Sequence, residues 1–222
     1  MKSSLSIGAS LLALLAVGCA TPPPPVSHDG LHLVENRDLD EVYLKPGIEL
    51  ADYTAVSLKP CTVAFRANYM RDQNSNRGLM RDRVTEEDMQ VIQARFAKSC
   101  DEHFREALQD SPAYKIVEQG SGEERVLDIR PAVIDLDLTA PDINSPGISR
   151  TYTTSSGEMT LFLEAYDGTT GEIIARVVDE KEDRDDMYLE WTNRASNMHD
   201  ANRAFASWTR SLRRALDQAR QL

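Results

Sequence analysis

The order of predicted elements is strand, helix, four strands, helix. It predicts an α+β fold: a two-layer sandwich with two long amphipathic helices on one face of a mainly antiparallel sheet of about five strands. Two observations carry this. Two long stretches repeat apolar residues at helical spacing, and each needs a face to bury against. The other apolar runs are short, alternating and joined by turn residues, as hairpins are.

Each element has a local signature. "YTAVSLKPCTVAF" (Tyr53 to Phe65) reads as a strand, and Pro60 inside it predicts an edge position or a bulge. Residues 66–84 read as a polar loop. Thr85-Glu86-Glu87-Asp88 starts a helix, Thr85 capping and the acids complementing the dipole. Ile92, Phe96, Cys100, Phe104 and Leu108 form its apolar stripe, and Ser111-Pro112 ends it. Tyr114 to Val117 is a short strand, followed by a turn at Gln119 to Gly122. Val126 to Leu138 is a long strand whose apolar alternation changes phase, which predicts a bulge near Pro131. Residues 141–156 read as a loop. "GEMTLFLEAYDGTTGEIIARVVDEK" reads as two strands joined at Asp167 to Gly171. Phe205, Trp208, Leu212, Ala215, Leu216 and Ala219 give the last helix its apolar face.

The N-terminus has a different character. Lys2 precedes an apolar run from Leu5 to Val17, of signal-peptide length and too short to span a bilayer comfortably. Ala16-Val17-Gly18-Cys19 resembles the lipobox of bacterial lipoproteins. That resemblance implies a signal peptide at 1–18 and a lipid on Cys19; an ordinary secreted protein cut near Ala20, or a short uncleaved anchor, is the alternative. Ala20 in place of Asp implies the outer membrane under the same resemblance. Thr21 and four prolines follow, a stiff polyproline II spacer. Residues 19–50 read as a tether and 51–222 as a single periplasmic domain.

The formal charge is −11 over 222 residues, and Lys2 is the only charge in 1–18, so its removal takes the chain to −12. Such a chain repels nucleic acid and anionic head groups. Cys61 and Cys100 are the cysteines left beside Cys19. In an oxidising envelope they can pair, closing a loop worth about 4 kcal/mol. They can equally pack as two buried thiols, and the sequence leaves both open.

Tyr53, Val56, Pro60 and Val63, then Leu127, Arg130, Ala132 and Asp135, then Glu164, Asp167, Thr170-Gly171-Glu172 and Asp179, then Trp208 with Leu212, follow in an order that resembles a bacterial lipoprotein family. That family is domain of unknown function 3313 (DUF3313), and the resemblance covers residues 53–220. It implies an envelope address and supplies no catalytic residues.

The search for chemistry finds no nucleophile elbow, phosphate loop, dinucleotide fingerprint or zinc-protease helix. His103 lies three residues after Cys100, but Cys100 is on the core stripe, where a thiol is inert. Asp135 and Asp137 share a strand face that reads as solvated, and the run from Asp179 to Asp186 reads the same way. The 66–83 loop stands out. Arg66, Arg71, Arg77, Arg81 and Arg83 face only Asp72 and Asp82 there. Arginine pairs bidentately with carboxylate and phosphate, so this loop is the candidate contact for an envelope protein or polymer.

The sequence therefore reads as an outer-membrane-anchored lipoprotein, a non-enzymatic binding or assembly module without catalytic residues, cofactor or metal. It meets the membrane through Cys19 and does not bind nucleic acid. The alternative is a carrier of lipid or small molecules, which an apolar pocket beyond what core packing needs would favour.

Overall fold

The computed structural model describes residues 22–76, 83–110, 114–118, 125–139, 151–153, 157–182, 190–192 and 194–221. The signal-like segment, Cys19, Arg77 and Arg81 lie outside them. The strands are β1 (His32–Val34), β2 (Glu41–Leu44), β3 (Ala55–Leu58), β4 (Thr62–Phe65), β5 (Lys115–Ile116), β6 (Val126–Leu138), β7 (Thr151–Thr153), β8 (Gly157–Asp167), β9 (Ile173–Glu182) and β10 (Glu190–Thr192). The helices are α1 (Tyr69–Asn76), α2 (Glu86–Gln109) and α3 (Arg194–Gln221).

The fold is α+β, as expected, but the sheet is larger and mixed. Among the described residues, eight strands run in the order β1-β2-β9-β8-β6-β3-β5, with β4 also on β6. The β6, β8, β9, β2 and β1 pairings are antiparallel, whereas β3 and β4 lie parallel to β6, and β5 parallel to β3. The parallel part follows from α2. A strand that leaves through a long helix and returns to the same sheet is a crossover, and crossovers join parallel strands.

β6 is the spine. β8 pairs along its whole length on one side. On the other side β3 pairs as far as Leu58 with Ile129, and β4 resumes at Thr62 with Ala132. Pro60 falls between those two strands, opposite Pro131. Two residues that disrupt a ladder thus share one gap. The predicted bulge is present, but at a different place: the register shifts between Ile134 and Asp137, with Asp135 at φ 52°. Leu127, Ile129 and Val133 bury one phase, Leu136 and Leu138 the other, and Ile134 faces away from the helices.

The tether is shorter than the sequence suggests. Leu31, Val42 and Tyr43 are buried, and β2 extends the sheet beside β9. Strands of three and four residues leave too little alternation to read, and pairing with a distant hairpin is what orders them. The 141–156 stretch likewise contains β7, which pairs with β10 in a separate two-stranded sheet.

Both long helices pack on one sheet face. Thr85 and Asp88 form a reciprocal capping box at the start of α2. Ile92, Phe96, Cys100, Phe104 and Leu108 are all buried. At its far end Arg213 of α3 donates to the Ala107 and Asp110 carbonyls, at 2.8 and 3.0 Å, which completes orphan acceptors. The buried face of α3 runs through Ala201, Ala204, Phe205, Trp208 and Leu216. Ala215 is exposed and Ala219 half-buried, because Leu216 takes the inward position of that turn. Cys61 and Cys100 form a disulfide, with Cα atoms 6.1 Å apart, that joins the β3–β4 link to α2.

Candidate functional site

Among the described residues, no long helix packs on the second face of the sheet. Met159, Leu161, Leu163 and Ala165 of β8 point into the helical layer and are buried. The intervening Glu158, Thr160, Phe162, Glu164 and Tyr166 are half-buried on the opposite face. Strand register arranges this face in rows. Arg130, Glu164, Arg176 and Tyr43 make one row, and Ala132, Phe162, Val178 and Glu41 the next. Ile134, Thr160 and Glu180 follow, and Asp137, Glu158 and Glu182 close the face.

The rows differ in chemistry. In the first, the Arg176 guanidinium bridges Glu164 at 2.7 Å and Asp29 at 2.5 Å. The hydrogen bond from Arg176 holds the Asp29 carboxyl down at about 2, even though burial opposes this. The Tyr43 hydroxyl donates to the Pro24 carbonyl at 3.1 Å, so the N-terminal segment lies across this end. The middle rows present half-exposed Ile134, Phe162 and Val178. The last row places three carboxylates directly across neighbouring strands, an unfavourable arrangement unless countered.

Arg66 counters one of them. It pairs with Asp137, and with Asp72 at 2.8 Å. Its charged form is reinforced first by the bond to Asp72 and then by that to Asp137. Glu158, Glu180 and Glu182 have no ion-pair partner among the described residues. Burial raises the pKa of Glu158, and Asp137, Glu180 and Glu182 raise it further against the pull of Arg66. A hollow of about 390 Å³ lies here between Arg66, Gln73, Asp137, Glu158 and Glu182.

Beside it, round the end of the sheet, a cleft of about 360 Å³ opens between β6, β8 and the first turns of α3. Phe96, Leu136, Leu138, Met159, Ala201 and Ala204, all buried core residues, form its floor. Lys181, Glu158 and Glu182 stand among the polar groups at its rim.

The segment that reads as a polar arginine loop is partly helical. Residues 69–76 are helix α1, with Tyr69 buried and its hydroxyl donating to the Leu138 carbonyl at 3.0 Å. Arg66 is committed to the fold, and Arg71 pairs with Asp72 at 3.0 Å. Arg83 is exposed. Asp135 and Asp137 are separated by the bulge, Asp135 exposed and Asp137 held by Arg66. His103 bonds the Ser99 carbonyl at 2.8 Å and packs on Phe205. Among the described residues, no three His, Cys, Asp or Glu side chains are placed to hold a metal.

Sequence reasoning missed the open face and the cleft. The alternation of β8 carried the signal: Glu158, Thr160, Phe162, Glu164 and Tyr166 mix apolar and acidic residues on a face that burial does not claim. The positions behind the family resemblance hold the fold together. Arg130 pairs with Asp128 at 2.8 Å and lies 4.1 Å from the Tyr166 ring centre. Asp179 is fully buried against Trp208 rather than solvated.

Solved structures give weak likenesses. A PelC dodecamer from Paraburkholderia phytofirmans is 12% identical, with 75% of this chain and 96% of that chain covered and a TM-score of 0.33. A neuraminyllactose-binding hemagglutinin homolog from Helicobacter pylori is 13% identical, with 77% and 88% covered and a TM-score of 0.36. The hypothetical protein CT253 from Chlamydia trachomatis is 8% identical, with 58% and 70% covered and a TM-score of 0.27. No curated protein matches the chain. The family described as protein of unknown function (DUF3313) matches over residues 26–212, and the chain belongs to that family.

Proposed function

We propose that this chain is a lipid-anchored, non-enzymatic binding or assembly module of the bacterial outer membrane, its domain facing the periplasm. The lipobox-like Ala16 to Cys19 supports the anchor. The open sheet face carries the binding reading. Ile134, Phe162 and Val178 form an apolar centre there, bordered by Glu158, Glu180 and Glu182 without cation partners among the described residues. Its occupant is an envelope protein that brings apolar side chains to the centre and Lys or Arg to the acidic border, since a like-charged surface would be repelled. Arg66 serves this site by holding Asp137 in place rather than by touching the partner.

The test is photo-crosslinking in intact cells from a reactive residue at Thr160, with mass spectrometry of the captured species. One dominant envelope protein, lost when Phe162→Glu is added, supports the reading. A face that small periplasmic reagents label but that captures no protein rejects it. A Cys19→Ala chain that still fractionates with outer membranes would reject the lipid anchor separately.

A further inference from the structure

We infer that the cleft between β6, β8 and α3 is a binding site for a single-chain zwitterionic amphiphile. Three features point there. The floor is made of side chains that belong to the buried core, Phe96, Leu136, Met159 and Ala204 among them, yet they line open volume. That volume is about 360 Å³. It falls within the roughly 300–1,000 Å³ of small-molecule sites, and is more than twice the ~150 Å³ void that takes a benzene ring. Water gains little against such a floor, whereas an alkyl chain is stabilised by leaving solvent.

The rim carries both signs. Lys181 forms an ion pair with the buried Asp179 carboxylate at 2.6 Å. An ammonium has three N–H donors, which leaves it able to meet an anionic group as well. Glu158 and Glu182, cross-strand neighbours on the other side of the mouth, have no cation partner among the described residues and meet a cationic group. A head group with a phosphate next to an amine satisfies both, with its chain directed at Phe96 and Met159. A purely anionic head would face two carboxylates, and a purely cationic one would face Lys181. Glu158 and Glu182 border both this cleft and the open face, but the cleft floor at Phe96, Met159 and Ala204 belongs to the helical side and Phe162 to the open face, so Ala204→Leu and Phe162→Glu test the amphiphile and the protein partner separately.

The test uses the full chain, purified from membranes in maltoside micelles, and lysophosphatidylethanolamine carrying a diazirine on its acyl chain. Expected is photolabelling confined to peptides containing Phe96, Met159 or Ala201 to Ala204. Unlabelled lysophosphatidylethanolamine competes, and phosphoethanolamine alone does not. Ala204→Leu fills the floor and lowers labelling about tenfold, the equivalent of roughly 1.4 kcal/mol of binding. Where that variant loses its native near-ultraviolet circular dichroism, Ser207→Phe at the rim takes its place. Label spread over other surfaces, label that resists competition, or equal labelling of a folded, cleft-filled variant would overturn the assignment.

Discussion

Asp179 of β9 accepts a hydrogen bond from Trp208 Nε1 of α3 at 2.6 Å, with both side chains buried. The same carboxylate accepts from the Asp40 backbone N–H at 3.0 Å and forms an ion pair with Lys181 at 2.6 Å. One side chain thus joins the last helix, the sheet and the segment ahead of β2. Asp179→Ala leaves two donors without their acceptor and the Lys181 ammonium without its counter-charge, and is expected to cost about 3 kcal/mol or more. Trp208→Phe removes a single donor and should cost less. Urea unfolding of the two variants checks this, and an Asp179→Ala protein as stable as the parent would refute it.

The disulfide between Cys61 and Cys100 spans 39 positions. Its loss restores loop entropy to the unfolded chain, about 4 kcal/mol for a ring of that size. The double variant Cys61→Ala/Cys100→Ala should therefore unfold at clearly lower denaturant. Dithiothreitol should move the parent to the same midpoint and leave the variant unmoved. An unchanged parent midpoint under full reduction contradicts the bond.

Acid stability depends on Asp167. Burial alone would raise its pKa, but N–H bonds from Thr170 and Thr169, then Tyr53 and Arg125, hold it at about 2. A carboxyl depressed on folding stabilises above its unfolded value, and that stability fades as pH falls through the folded one. The contribution is therefore complete near neutral pH and is lost between about pH 4 and pH 2, amounting to about 2 kcal/mol. Asp167→Asn should unfold earlier than the parent at pH 7 and converge with it near pH 2. Parallel curves across that range would exclude this role.

How much the sequence disclosed depended on how local each signal was. The stripe of α2 and its Thr85 cap are consecutive along one helix, and they are legible. The site was not, because it consists of rows that cross three strands: Glu158 meets Asp137 and Glu182 only once register is set. The bulge was half legible. The change of phase in β6 showed that one residue is extra, but not that Asp135 is the one in left-handed backbone. That position tolerates glycine, so Asp135→Gly should be neutral within about 1 kcal/mol, whereas Asp135→Val should cost about 1–2 kcal/mol. Thermal melts of the pair decide it, and equal melts would place the bulge elsewhere.

The order found between residues 24 and 44 shortens the reach of any lipid on Cys19. The Pro24 carbonyl is held by the Tyr43 hydroxyl at 3.1 Å, and the Pro25 carbonyl by the Leu33 N–H at 2.9 Å. Five steps then separate Cys19 from the first fixed residue. A polyproline helix gains about 3.1 Å per step, so the domain's edge stays within about 16 Å of the anchor, not the roughly 100 Å a tether ending near residue 50 would allow. A fluorophore at Val26, on the lipidated protein in phosphatidylcholine vesicles, should therefore transfer energy strongly to a rhodamine head-group acceptor. A measured separation beyond about 40 Å, more than twice what five extended residues can span, would mean that this N-terminal segment is not docked. Protein that never joins the vesicles would instead count against the anchor. Close transfer from Val26 would bring the open face near the membrane too, because Tyr43 and Arg176, which hold the segment, are themselves residues of that face.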